Sequence, residues 1–184
     1  KVDADDFRTW DLQTLFDEIH IHHQNALHSS LMLQQEELSQ FDNILTLQEG
    51  SKIYRPTVFD FLSHNALAFY KTDENSITKP VYKFEIDNPD FLNDAERFSK
   101  LKIESKDSTS LQLNALKIYQ ELIKFHLKDV EPYALADVNI ERLDFDENNA
   151  TFNDKETVLL KTLKTESDNL KSHEVSGLYE CEIA

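Results

Sequence analysis

Only two glycines, Gly50 and Gly177, occur in this chain of 184 residues. That scarcity constrains the fold more than any motif does. β-Sandwiches turn their hairpins on residues with positive φ, and Rossmann-type nucleotide folds cradle phosphates on glycine loops. Two glycines starve both architectures. Helical hairpins, which turn on Asn, Asp and Ser, need few.

The apolar spacing points the same way. From Asp107 to Asn149 the chain reads as two amphipathic helices joined by a tight turn at Pro132. Leu111, Ala115, Ile118, Tyr119, Leu122 and Phe125 recur at steps of three and four, one face of a helix. Leu135, Val138, Leu143 and Phe145 line the second run. The spacing predicts a first helix over about Asp11–His28, with Leu12, Leu15, Phe16, Ile19, Ala26 and Leu27 inward. Shorter helical pieces follow around Ser30–Leu38 and Gln40–Leu47, with Gly50 as their C-cap. Thr57, with Asp60 three residues on, is an acidic variant of the capping box. The helix it opens, through Tyr70, is apolar nearly all round and so belongs at the centre.

Between Lys71 and Ser105 the helical pattern breaks at Pro80 and Pro89, and Val81–Ile86 alternates apolar and polar. A lone strand has no partner, so the segment reads as an extended connector laid over helices. Tyr82, Phe84, Ile86, Phe91 and Leu92 would pin it, with a brief helix near Asn93–Phe98. Ser108 is the expected cap of a helix running to about Lys128, and Pro132 takes a first-turn position. Asn153 or Asp154 starts a further helix through Val158, Leu159, Leu160 and Leu163, and Ser172 caps the last one, with Glu174 in its first turn. Pro132 to Ser172 is the length of one helical-repeat unit, though no repeat signature recurs. The expectation is an all-α domain of seven to nine helices, packed as antiparallel hairpins in a helical-repeat-like (TPR-like) array over residues 1–184, with 71–105 as its internal connector.

Asp and Glu number 35 against 19 Lys and Arg, a formal charge of −16. Such a surface repels nucleic acid and anionic membranes. No apolar run reaches the ~18 residues a spanning helix needs. The single cysteine, Cys181, excludes an internal disulfide and leaves the compartment open. There is no initiator Met and no signal-peptide pattern at Lys1, and Leu178–Ala184 stops in mid-pattern, so the expectation is a piece of a longer protein.

Few residues suggest chemistry. Glu18 and His22, or Asp17 and His20, share helix faces within Asp17–His23 and are metal-ligand types. A di-iron bundle needs two Glu-x-x-His pairs and two more inward Glu, whereas here one Asp-x-x-His stands alone. A solvated helix face bearing His20, His22 and His23 is therefore the reading, with no metal or other cofactor assigned. Asp144, Asp146, Glu147 and Asn148, with Asp137, Asn139 and Glu141 upstream, resemble a calcium loop in their alternating oxygens. The required glycine is Asn149, however, and the closing Glu is Lys155. An acidic outer helix face and turn is the expectation there. No serine-nucleophile motif or phosphate loop occurs. Cys181, between Glu180 and Glu182, is disfavoured as a thiolate and reads as a half-buried helix residue. Trp10 reads as a packing anchor. No catalytic residue is assigned, and the chain reads as a non-enzyme.

Three segments carry a family resemblance: Arg55–Tyr70 (RPTVFDFLSHNALAFY), Asp107–Leu122 (DSTSLQLNALKIYQEL) and Asp137–Phe145 (DVNIERLDF), with the acidic connector Lys83–Leu92 (KFEIDNPDFL) after the first. In this order they resemble the N-terminal helical region of large bacterial alpha-2-macroglobulin-like proteins, over most of the chain from about Trp10. The resemblance implies a secreted or lipid-anchored envelope protein, similar to proteinase-trapping inhibitors, in which a helical region precedes many β-sandwich domains. Some members carry a Cys-x-Glu-Gln thioester. Cys181–Ala184 lacks the Gln, and no functional residue carries over. The implied role is a non-catalytic helical scaffold or protein-interaction module, partnered by downstream domains of the same chain or by another protein. The alternative is a free-standing helical adaptor that binds peptides or a basic protein.

Overall fold

The structure is a computed structural model that describes Asp3, residues 6–72 and residues 82–184. Among the described residues it is all-helical, without strands. Eight α-helices run in order: α1 (Leu12–Leu27), α2 (Ser30–Leu33), α3 (Val58–Tyr70), α4 (Ala95–Ser99), α5 (Leu111–His126), α6 (Tyr133–Asn149), α7 (Lys155–Asn169) and α8 (Ser176–Ile183). Single 3-10 turns stand at Phe7–Thr9, Leu38–Phe41, Ser51–Ile53 and Pro89–Leu92.

The main core gathers around α5. Its predicted face is inside: Leu111, Ala115, Ile118, Tyr119 and Leu122 are buried, and Leu113, Leu116 and Ile123 join them from its other sides. On one side α3 contributes Phe59, Ala66, Leu67 and Tyr70; on another α6 contributes Val138 and Phe145. The central position expected of α3 from its all-round apolarity is not what forms: α3 flanks α5, and its Val58, Phe61 and Leu62 line an open groove. A second core lies between α6, α7 and α8, built on Ala136, Leu143, Leu163, Val175 and Tyr179 with Leu92 of the connector. Helices α5 and α6 pair, as do α7 and α8. The second pair, of 15 and 8 residues, is not a copy of the first, of 16 and 17.

The connector is pinned as the alternation predicts, with one exception. Phe84, Ile86, Phe91 and Leu92 are buried, but Tyr82 is 61% exposed, its ring lying under Lys106 Nζ. The expected alternation yields a single parallel bridge, Ile86 to Ala150, and the expected brief helix is α4. Pro80 and Val81 lie outside the described residues.

Several expected boundaries move. Ser110 rather than Ser108 caps α5, its hydroxyl accepting from Leu113 N at 3.2 Å, and α5 ends at His126. Pro132 is the N-cap residue of α6 rather than its first turn. Asp154 precedes α7 in a left-handed conformation, φ 62°, and makes no side-chain cap. Val175, not Ser172, precedes α8. Gly50 does not close a helix; it stands left-handed (φ 80°) ahead of the Ser51–Ile53 turn. The pieces expected at 30–38 and 40–47 shrink to α2 and the Leu38–Phe41 turn.

The N-terminal layer is the thinnest part. No residue of α1 or α2 is fully buried, and Leu38 is the one buried side chain described before Thr57. Of the face predicted for α1, Phe16 and Leu27 reach the core while Leu12, Ile19 and Ala26 face solvent. The inward stripe is instead Phe16, His20, His23 and Leu27, because Phe69 and Tyr70 of α3 offer rings to it. Trp10 does not anchor the core: it is half-buried and its indole donates to Asp3 O at 2.8 Å.

The capping box at α3 forms as the sequence predicts. Asp60 N donates to Thr57 Oγ1 at 3.3 Å, and Thr57 N donates to Asp60 Oδ2 at 2.9 Å. Thr57→Ala is expected to cost about 1–2 kcal/mol, the usual worth of a lost N-cap, read as a lower urea midpoint at unchanged slope.

Candidate functional site

Among the described residues, three polar clusters bring chemically capable side chains against the core, where helix ends or the connector meet it.

The first joins α3 to the end of α5. His126 Nε2 lies 2.7 Å from Asp60 Oδ1, and its Nδ1 lies 2.7 Å from Asp129 Oδ2. With a carboxylate at each nitrogen, both nitrogens donate, so the ring is an imidazolium. Burial opposes that charge, but the two carboxylates outweigh it and raise the His126 pKa above its ordinary value. Burial also works against charge on Asp60; His126 and Thr57 overcome it and hold its pKa low. Asp60 and His126 side chains are both 1% exposed. The one hydroxyl in the group, Thr57 Oγ1, donates to Asp60 at 2.6 Å and not to the imidazole. The Ser-His-Asp order of acyl transfer, hydroxyl to imidazole to carboxylate, is therefore not built.

The second centres on Glu141 of α6. Lys71 Nζ donates to its Oε1 at 2.6 Å and Tyr119 OH at 3.2 Å; His64 Nδ1 lies 3.1 Å and an Arg55 nitrogen 3.7 Å from its Oε2. Burial raises the Glu141 carboxyl, but the surrounding cations win and hold it down at about 2.

The third is the deepest. Arg142 is fully buried. Its guanidinium donates to the backbone carbonyls of Phe91 (2.6 Å) and Asn93 (2.9 Å), to Asn139 Oδ1, and to Asp146 Oδ2 at 3.3 Å; it also stands over the Phe98 ring, 4.3 Å from its centroid. Asn139 passes the network on, donating to Glu166 Oε1 at 2.9 Å and Tyr179 OH at 3.0 Å, while Ala95 N donates to Glu166 at 2.6 Å. Burial pushes the Asp146 carboxyl up to about 8 and also raises Glu166. The network fastens the connector to α6, α7 and α8. Thr162 Oγ1, donating to Leu92 O at 2.6 Å, adds a further tie.

The residues singled out in the sequence fall elsewhere or behave differently. His20, His22 and His23 do not share a solvated face. His20 Nδ1 meets Tyr70 OH at 2.8 Å and His23 stacks on Phe69, with His22 alone exposed. Burial lowers the pKa of His20 and of His23. Asp17 is exposed and accepts from Gln13, and Glu18 is half-buried. Among the described residues no three His, Cys, Asp or Glu side chains stand close enough to share a metal ion. The stretch from Asp144 to Asn149 is helix rather than loop: Asn148 bonds Asp144, and Lys155 Nζ donates to Glu147 O at 2.7 Å. The expected acidic outer face is corrected at Asp146 and Asn139, which point fully inward, and at Glu141, which is partly covered. Asp137 pairs with Arg55 at 3.4 Å. Cys181 is exposed rather than half-buried.

Among the described residues, two surface grooves stand out. One, about 230 Å³, lies between α1, α3 and α5 and is lined by Phe59, Ser63, Asn114, Lys117 and Glu121 among others; the Ser63 hydroxyl makes no hydrogen bond. The other, about 170 Å³, is apolar throughout. Leu38, Phe41, Ile44 and Leu45 form one side, and Val58, Phe61 and Leu62 of α3 the other. Neither groove is lined by any of the imidazole, guanidinium or carboxylate groups of the three clusters.

Comparison of the chain with family models, with curated proteins and with solved structures finds no match. No helix among the described residues is long and apolar enough to cross a membrane.

Proposed function

We propose that this chain is a non-catalytic helical scaffold or protein-interaction module. It works as the sequence resemblance to the N-terminal helical region of bacterial alpha-2-macroglobulin-like envelope proteins implies. It would brace the β-rich domains of such a protein or contact another envelope protein. One observation supports this reading above the others: the ionisable groups best suited to proton transfer, Asp60, His126 and Arg142–Asp146, are sealed in the interior and spent on backbone carbonyls and helix ends. General acid–base catalysis needs such a group within hydrogen-bond reach of a bound substrate. The apolar groove and thinly packed N-terminal layer, by contrast, lie open to contact. The −16 charge favours partners other than nucleic acid.

The test begins with the reading frame of the encoding gene. A continuation into several hundred β-rich residues is expected. That segment, produced separately, is expected to form a stoichiometric complex with this domain in sedimentation velocity. A stop codon soon after Ala184 would transfer the reading to a free-standing adaptor of peptides or basic proteins. A turnover activity of the purified domain, lost in Asp60→Asn, would overturn both.

A further inference from the structure

We propose that the apolar groove beside the Leu38–Phe41 turn is the docking site for a basic amphipathic segment of a protein partner. Its large apolar side chain fills the groove, and its Lys or Arg residues lie over Glu36 and Glu37. This rests on the interaction-module reading and names the partner's chemistry.

Four observations combine. Ile44, at the groove, is 78% exposed, and the lining around it is carbon throughout. Exposed apolar surface of that kind marks contact sites. At about 170 Å³ the groove falls below the ~300–1,000 Å³ of small-molecule pockets, so it suits one side chain of a larger partner. It is also preformed. Leu38 N donates to Pro56 O at 2.8 Å, Val58 N donates to Glu36 O at 2.9 Å, and Glu37 bridges to Thr57, so the turn is fixed against the capped start of α3. A rigid groove spares the ordering entropy that weakens binding.

Charge then selects the occupant. Glu36 and Glu37 precede the turn. Their carboxylates accept only from Gln40 (3.3 Å) and Ser39 (3.1 Å), and neither meets a cation among the described residues. The next acid, Asp42, is neutralised by Lys52 at 2.6 Å. Two carboxylates without a cation thus sit beside Leu38 and Val58 of the groove, on a chain that is itself strongly acidic. A second copy would bring like charge to like charge, and an anionic lipid surface would do the same. A basic segment with apolar anchors at helical spacing satisfies both the carbon-lined floor and the two carboxylates beside it.

The probe is a labelled synthetic peptide of about fourteen residues, roughly four helical turns, with Leu at steps of three and four and Lys between. A matched peptide carries Glu in place of Lys. Both are titrated against the whole chain by fluorescence anisotropy. Saturable one-to-one binding of the Lys peptide is expected, with none of the Glu peptide. Ile44→Asp and, separately, Glu36→Lys with Glu37→Lys are each expected to weaken binding at least about tenfold, the signature of a lost anchor. Val130→Ser, an exposed apolar site elsewhere, should leave binding unchanged. Ile44 is exposed, so the fold should survive its replacement, and the double Lys variant touches no core residue if it does not. Binding indifferent to both groove variants, or self-association broken by Ile44→Asp, would overturn the proposal. If the peptide fails to bind while the β-rich segment still forms its complex, the groove assignment falls and the module reading stands.

Discussion

Arg142→Ala is expected to destabilise the protein by about 3–5 kcal/mol, since each buried polar group left without its partner costs about 1–3 kcal/mol. The guanidinium is the only described group that satisfies the Phe91 and Asn93 carbonyls through its side-chain donors, and it links them to Asp146 and Asn139. Its removal strands two connector carbonyls and a buried carboxyl at once, and it opens a void beneath Phe98. Asp146→Asn should cost much less. It fixes the side chain in the neutral form that burial already favours up to a pH of about 8, and the guanidinium keeps its three other acceptors. Arg142→Met with Asp146→Leu should recover part of the loss, since well-packed apolar replacements of buried pairs are tolerated. Urea unfolding at constant slope reads all three. Arg142→Ala losing under about 1 kcal/mol would mean that the network carries no more than a surface pair does.

His126→Gln is expected to cost about 2–4 kcal/mol near pH 6, because Asp60 would keep its buried charge and lose its cation. The penalty should depend on pH in a definite direction. The folded protein raises the His126 pKa above its ordinary 6.5, so it binds that proton more tightly than the unfolded chain does. The imidazolium's contribution is therefore complete below pH 6.5 and fades as pH rises through the folded value. Asp60 behaves oppositely. Its pKa is held below 3.8, so its contribution is complete above that and fades as pH falls through the folded value. The stability difference between wild type and His126→Gln should peak between about pH 4 and 6.5 and shrink on both sides. Taking the difference removes the background of His20 and His23, whose lowered pKa values act with the opposite sign. A difference flat from pH 4 to 10 would contradict the doubly hydrogen-bonded imidazolium.

The fold was largely legible because its signals are local. The three-and-four spacing of Leu111, Ala115, Ile118 and Leu122 marks α5, and the Thr57–Asp60 pair marks the start of α3. Phe84, Ile86 and Phe91 betrayed a connector that stays on the core. The polar clusters were not legible, because each is assembled from distant segments: Asp60 with His126, Glu141 with Lys71, Arg142 with Phe91. A partial signal existed. His126 lies four residues after Leu122, and Arg142 four after Val138, so both polar residues occupy core registers. A charged side chain at such a register is buried and paired, but the partner's identity needs the third dimension. Position in the acidic run 137–148 misdirected the reading of Asn139 and Asp146, since charge density says nothing of which face turns inward. On α1 the stripe Phe16, His20, His23 and Leu27 was available at the same spacing. It was missed because imidazoles are ordinarily counted as polar, although against Phe69 and Tyr70 they pack as rings.

Native-state hydrogen exchange tests the central claim, that a polar-clamped α3–α5–α6 core carries a loosely held N-terminal layer free for contact. Amides of α5 between Ala115 and Ile123, and those of α6 around Arg142, should exchange only through global unfolding. Those of α1 should exchange at least about a hundredfold faster, an opening cost lower by roughly 3 kcal/mol. Equal protection of α1 and α5 would show one uniformly cooperative body with no separable contact layer, and would contradict the account.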